Sequence, residues 1–444
     1  MHSEKKTHDR KSGHRAKKPY GSDKKKVISV FAALFLLVGS ILAAETIPAS
    51  EDGRPEITFS SGDTLYFWYS DDSLTEYLTN AAAAYYEEKG THVIPILRSG
   101  LEYLEEINDA SVHPSEDLPQ MPDLYIVSND SLEKAYLSGL AAQVKDEGGL
   151  CSIDNFPQTA LDAVSYQGRY VGYPFYFETS ALLYNKTYMD QTEMEVPETI
   201  DGILAFADAY DAPEQVEAVF KWDVSDIFYN YYFTGNYMIV GGEAGDDPQQ
   251  IDIDNEQAKE CLQIYQNLNQ FFSIDTKEVT YDSVLQDFID GKIVMTVATS
   301  DAVARIETAK EEGQFAYEYG ITKMPDLTDS LKGRSLSVTN AIVINGYSEK
   351  SEAANDFASF LIRKHTDELY AKTGKLAARS GISYENQNLA AYTDEYKASI
   401  SMPKLLGTSN YWVQLEICFS RIWKGEDAES LLSELAQQIS KQLM

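Results

Sequence analysis

Apolar residues recur along this chain in two rhythms. Short runs rich in β-branched and aromatic residues stand at 64–70 (TLYFWYS), 91–97 (THVIPIL) and 122–130 (PDLYIVSND), and they read as strands. Between the first two, Leu74, Tyr77, Leu78, Ala81 and Tyr85 follow the i, i+3, i+4, i+7 spacing of one helix face. The pattern predicts strand 64–70, helix 73–89, strand 92–97, helix 100–108, strand 123–127 and helix 130–138. Such alternation predicts a mainly parallel α/β sheet. The polar stretch 108–120, with His113-Pro114 and Leu118-Pro119, predicts a loop. Farther on, Asp254 or Asn255 can cap a helix running to about 270, and Ser348 or Ser351 one ending near Arg363. In the tail 426–443, Leu431, Leu432, Leu435 and Ile439 share one face of an amphipathic helix.

The N-terminus follows neither rhythm. Residues 1–26 carry ten Lys/Arg against three acids, and the rest of the chain carries 27 basic against 67 acidic residues. A surface that negative repels nucleic acid and anionic headgroups, so the body is expected to bind neither. Residues 27–44 (VISVFAALFLLVGSILAA) hold no charge. As a helix they span about 27 Å, against about 30 Å of bilayer hydrocarbon. Basic residues before the segment and acidic sequence after it orient the leader to the cytoplasm and the body outside. Two readings stay open: an uncleaved signal anchor, which the long leader favours, or a signal peptide cut near Ala44. Residues 45–62 read as a linker, and the body starts near Asp63.

The length suits two lobes rather than one small core. Cys151, Cys261 and Cys418 are too scattered for a disulfide framework; the last two sit at apolar helical positions and read as free buried thiols. His2, His8 and His14 lie in the leader, and His92, His113 and His365 form no ligand pair, so no metal is expected. The Asp252-x-Asp254 spacing opens like a calcium loop but lacks its Gly and distal Glu, which leaves helix capping. No GxSxG elbow, Walker A loop or GxGxxG follows a strand, and no pair of carboxylates stands out for a glycosidase. Neither an enzyme nor a cofactor is expected.

The ordered segments continue with YQGRYVGYPFYFETSALLYNK at 166–186, FIDGKIVMTVATS at 288–300, YEYGITKMPD at 317–326 and NAIVINGYSEKSEAANDFASFLIR at 340–363. Over roughly 60–440 this series resembles the extracellular solute-binding proteins of bacterial ABC importers, in their sugar-binding, maltodextrin-binding-like branch. The Tyr173–Pro174 to Leu183–Lys186 block and Gly291–Lys292 carry it best. The resemblance implies a two-lobed periplasmic-binding-protein-like α/β fold (type II), with hinge-linked lobes and several chain crossings. Lobe 1 would be 60–177 plus 322–370, and lobe 2 would be 182–317 plus 375–444. Crossings would fall near Phe177–Ala181, Tyr319–Lys323 and Lys372–Ala378, with ligand held between the lobes. Gram-positive members are usually lipoproteins held by a Cys after the apolar run; this chain has none there, which strengthens the anchor reading.

Sugar sites combine aromatic faces with carboxylates and amides. The resemblance implies ligand contacts at Asp71 and Asp72 after the first strand, with capping by Asp72 as the alternative. Asp130 ends the third strand, where capping is again the alternative, and Glu178 matches a ligand-contacting Glu. Trp222 and Asp223 match an acid and an aromatic of lobe 2, while Tyr229, Tyr231 and Tyr232 read as core. Tyr411 and Trp412 match a late aromatic platform. Two positions depart from the family: Val127 stands for a stacking Trp, and Thr299, Ser300 and Asp301 for Gly-Pro-Trp. Ser300 and Asp301 are then polar candidates, and the loss argues for a smaller or more polar ligand than maltodextrin. The function implied is a non-catalytic receptor on the outer face of the membrane, tethered through 27–44 or secreted. It would close on a mono- or oligosaccharide and deliver it to importer permease subunits. The alternatives are a sensory or scaffold protein on the same fold, and a secreted carbohydrate-active enzyme.

Overall fold

A computed structural model describes residues 64–113, 120–146, 148–192, 194–405 and 410–443. The leader, the apolar segment 27–44 and the linker 45–62 lie outside the described residues. Among the described residues no helix is long and apolar enough to cross a membrane.

The strands are β1 (Thr64–Tyr69), β2 (His92–Leu97), β3 (Leu124–Ser128), β4 (Ser165–Tyr166), β5 (Arg169–Tyr170), β6 (Tyr173–Thr179) and β7 (Ala181–Asn185). They continue with β8 (Ala218–Phe220), β9 (Ile239–Val240), β10 (Ile251–Asp252), β11 (Ile293–Ala298), β12 (Tyr319–Thr322), β13 (Leu336–Ile344), β14 (Leu376–Ala377) and β15 (Ile400–Ser401). They build a seven-stranded sheet in the order β14-β6-β13-β3-β1-β2, with β15 beside β13, and a four-stranded sheet in the order β12-β7-β11-β8.

Period-two alternation explains the larger sheet. Leu65, Phe67, Leu124, Ile126, Ile342 and Ile344 pack into the core on one face. Trp68, Tyr125, Val127, Ala341 and Val343 pack into the core on the other. With both faces buried, each strand reads as a continuous apolar run. The sheet is mixed rather than mainly parallel. β1 runs parallel to β2 and β3, but β13 runs antiparallel to both β3 and β6. The reason is topological, since β13 returns from the smaller sheet and enters between strands laid down earlier.

The smaller sheet carries its own core, where Phe220, Trp222, Phe233, Tyr265 and Trp423 meet. The helices Glu256–Phe272, Tyr411–Trp423 and Ala428–Leu443 pack here, and Leu431, Leu432, Leu435 and Ile439 are buried as the tail pattern predicts. Asn255 caps the first of these by accepting from Ala258 N at 2.9 Å. Cys151, Cys261 and Cys418 are free and buried, and burial pushes each thiol up to about 12.

Local boundaries differ where tertiary contacts intervene. The helix expected at 100–108 is Tyr103–Val112, because Ile107, Ala110 and Ser111 are buried, so it consumes the start of the expected loop. Ser351 begins the helix Ser351–His365 without a side-chain cap, and Ser348 instead donates to Asp123 at 2.6 Å.

The chain passes between sheets at Ser180, which alone separates β6 from β7. The return comes later than the expected boundary at 322. Leu327 and Leu331 still pack in the smaller core, and Arg334 N donates to Tyr232 O at 3.0 Å. The segment from 375, expected in the second lobe, stays with the larger sheet: β14 pairs with β6, and Leu389, Tyr392 and Tyr396 enter that core. With Ile400 of β15 the chain reaches the smaller core again, before the helix Tyr411–Trp423.

Trp222 is wholly buried between Phe220 and Trp423, with ring centroids 4.8 and 5.5 Å away. Its truncation tests this core. Trp222→Ala should lower the free energy of unfolding by about 3–5 kcal/mol, the usual range for a buried aromatic. Urea titration reads this, and an unchanged midpoint would place the indole outside the core.

Candidate functional site

The pairing registers decide which loops meet. β1 and β3 are parallel, and β6 and β3 both lie antiparallel to β13. The carboxyl ends of β1, β3 and β6 therefore share one edge, and β14 begins there, with Leu376 opposite Phe177. In the smaller sheet Ala298 ends β11 opposite Ala181, beside Ser180, and β8 runs parallel to β11. The carboxyl ends of both sheets thus open onto the passage at Ser180, the kind of place where open α/β sheets hold ligands.

On the larger sheet this edge carries a row of charge. Lys375 Nζ lies 2.8 Å from Asp71 Oδ2 and 3.2 Å from Glu178 Oε1, over the ring of Tyr176 at 5.6 Å. Gly374, at φ +72°, ends the helix Leu369–Thr373 and turns Lys375 into this position. Asp71 also accepts from Ser73 N at 3.0 Å and Ser73 Oγ at 2.6 Å, so Asp71 rather than Asp72 caps the turn before the helix Thr75–Lys89. Burial pushes the Asp71 carboxyl up, but the Lys375 and Ser73 contacts outweigh it and hold it below its usual value. Burial alone would lower the Lys375 ammonium, and the Glu178 and Asp71 carboxylates raise it above its usual value.

Asp72 and Asp130 are exposed; Asp130 accepts a hydrogen bond from Ser128 Oγ. Its neighbour Asn129 is wholly buried and ties β13 to the residue after β15, accepting from Thr339 N at 2.9 Å and donating to Met402 O at 2.6 Å.

On the smaller sheet Asp301 has Arg305 Nη1 at 3.9 Å, and Asp223 and Asp226 are held by neutral donors. Asp223 folds back on Ser225, accepting from its N–H at 2.9 Å, and Asp226 caps the short helix Ile227–Asn230 through Phe228 N at 2.8 Å. Burial and the nearby Asp223 raise Asp226, while burial, Asp226 and Asp223 raise Glu416. Asp301 accepts from Tyr281 Oη at 2.8 Å, and Tyr281 stacks on Tyr229 at 5.4 Å. Ser300 is buried at the start of the helix Asp301–Glu311. Tyr392, from the larger core, donates to Thr299 O at 2.9 Å and so joins the two edges.

The aromatic candidates separate. Trp222 and Tyr411 are core residues, and the Trp222 indole N–H is donated to Asn230 Oδ1 at 2.9 Å, leaving no face for a solute. Trp412 is half-buried and leans on Tyr231 at 5.5 Å. Tyr229, Tyr231 and Tyr232 are buried, as their helical context predicts. Sequence reasoning missed Lys375, Asp226 and Glu416. The available signals were the Gly374-Lys375 helix stop and the one-turn spacing from Trp412 to Glu416. Among the described residues no group of three or more His, Cys, Asp or Glu could hold a metal ion.

Comparison with known proteins adds the family. A profile described as bacterial extracellular solute-binding protein matches residues 80–402. The chain is similar to the maltodextrin-binding protein MdxE of Bacillus subtilis, 21% identical over 88% of this chain and 91% of that one. It is also similar to the galactooligosaccharide-binding protein of the same organism, 20% identical over 93% and 97%. Among solved structures, the extracellular solute-binding protein of Staphylococcus aureus in complex with maltose superposes with a TM-score of 0.74, at 20% identity, covering 86% of this chain and 98% of that one. That likeness shows the two-lobed fold.

The Asp71 shift gives a signed pH test. A carboxyl held below its ordinary 3.8 in the folded state stabilises above that value and loses the contribution as pH falls through the lowered one. Asp71→Asn should therefore lower the melting temperature near neutral pH. The gap from wild type should close as the pH is taken below the ordinary carboxyl value. A gap independent of pH, by scanning calorimetry, would remove the ionic contribution.

Proposed function

The chain belongs to the bacterial extracellular solute-binding proteins, and from that premise we propose a receptor that closes on a carbohydrate and hands it to an ABC importer. The observation that carries the reading is the meeting of two polar strand edges at Ser180. Asp71, Lys375 and Glu178 stand on one edge, and Asp223 and Asp301 on the other. Carboxylates at such a junction accept hydrogen bonds from sugar hydroxyls, and closing the lobes around the hinge removes water from those bonds. Sugar-binding relatives support the same ligand class. Binding without turnover fits this reading, since the similar proteins are described as binding proteins.

The ligand we propose is a mono- or short oligosaccharide. Trp222 and Tyr411 are core, so Trp412 is left as the stacking face among the predicted aromatics, and Thr299, Ser300 and Asp301 add polar groups instead of a ring. Glu178 and Trp412 then grip the sugar from the two lobes, one by accepting hydroxyl hydrogen bonds and one by covering an apolar ring face. Residues 27–44 act as the tether of this receptor, with the body outside the cell.

Two measurements test the proposal. In calorimetric titration with the best saccharide from a thermal-shift screen, Glu178→Gln should weaken binding about tenfold or more, and Trp412→Ala somewhat less. Neither change should unfold the protein, and unchanged affinity in both variants would place the cleft elsewhere. Fractionation of cells should find full-length protein in the membrane pellet. Mature protein in the medium, beginning near Glu45, would replace the tether with a cleaved signal peptide.

A further inference from the structure

We propose that Lys375 is itself a ligand-binding residue, and that Asp71, Lys375 and Glu178 together read two adjacent hydroxyls of an uncharged sugar. The inference rests on the receptor reading and specifies the solute class at the same edge.

The argument begins with donors and acceptors. An ammonium has three N–H donors. Lys375 directs one to Asp71 and one to Glu178, and the third meets no acceptor among the described residues. Asp71 uses Oδ1 for Ser73 and Oδ2 for Lys375. Glu178 uses Oε1 for Lys375, and its Oε2 accepts from no described residue. Free bonding capacity therefore runs acceptor, donor, acceptor along the edge. A sugar hydroxyl both donates and accepts. One hydroxyl can accept from the ammonium while it donates to a carboxylate, and its neighbour can donate to the other carboxylate. Two vicinal hydroxyls on a ring match that row, whereas a lone hydroxyl fills half of it.

Charge narrows the class further. The row holds one cation and two anions, and the facing edge adds Asp223 and Asp226, with Asp301 offset by Arg305 at 3.9 Å. An acidic solute would meet surplus negative charge on both sides, so the site selects a neutral glycan. The groups facing Lys375 are Asp71 from the loop after β1, and Tyr176 and Glu178 from β6. Without the ammonium, two carboxylates are left side by side, and one of them should take up a proton more readily.

The test uses the full-length protein with maltotriose as the neutral probe and an oligogalacturonide trimer as the acidic one. Wild type should bind maltotriose, and the acidic trimer at least tenfold more weakly. Lys375→Met should weaken maltotriose binding by about tenfold or more. Its residual affinity should rise as pH falls from about 7 toward 4, because a protonated carboxyl can donate in place of the ammonium. Lys375→Arg should restore most of the affinity with a flat profile, as in wild type. Lys375→Met that binds as well as wild type, or that is weakened with no pH dependence, would overturn the inference and leave the receptor intact. Equal binding of the acidic trimer would overturn the neutral-solute half. Wild type blind to maltotriose and to every neutral saccharide in the screen would overturn the receptor reading, and this inference with it.

Discussion

Everything in the two-lobed body depends on one run of backbone, residues 173–185. Its first half must complete hydrogen-bond ladders with β13 and β14, and its second half with β11 and β12. A single buried residue, Ser180, separates the two obligations. No slack exists at that point, so the edges of both sheets are brought together by backbone geometry before any side chain contributes. Side chains then secure the junction. Thr179 Oγ1 donates to Leu336 O at 2.9 Å, and Phe177 stacks on Tyr396 at 3.9 Å. Because strand side chains alternate, a register slip of one residue would turn Glu178 inward and push Phe177 or Thr179 out. The register that builds the hinge also aims the carboxylate.

The two walls of this junction are electrically unlike. On the larger sheet the acids are compensated by an ammonium and by hydroxyl and amide donors, which keeps Asp71 readily ionised despite burial. On the smaller sheet Asp226 and Glu416 are raised by burial and by neighbouring acid, with the Asp226 cap bond to Phe228 as the opposing influence. A solute rich in hydroxyl donors suits both walls, since it supplies hydrogen bonds to carboxylates without adding charge.

Much of the fold was legible because its signals are local. The helix face from Leu74 to Tyr85 and the apolar strands β1 to β3 declare themselves within a few residues, and the family resemblance supplied the two lobes. What failed was non-local. The antiparallel entry of β13 between β3 and β6 leaves no trace in either neighbour's sequence. Trp222 lies among polar residues (KWDVSD) and matches a ligand-contacting aromatic of the family, yet it is closed over by Trp423 from far along the chain. The choice between Asp71 and Asp72 as cap rests on one backbone conformation, extended at Asp71. Lys375 follows a helix stop at Gly374 and has no further local signal, and its meaning comes from a carboxylate 197 residues away.

The order in which strands join the larger sheet has a consequence for how the protein is made. β3 acquires its second neighbour only when residues 336–344 exist, and β14, β15, Tyr392 and Tyr396 come later still. The smaller core likewise waits for the helices Tyr411–Trp423 and Ala428–Leu443. Neither lobe can therefore finish until residues well beyond 390 have been made, and contacts this distant form slowly. For a protein that works outside the cell, late completion is an advantage: the export channel receives slack, threadable chain rather than a finished domain too wide to pass.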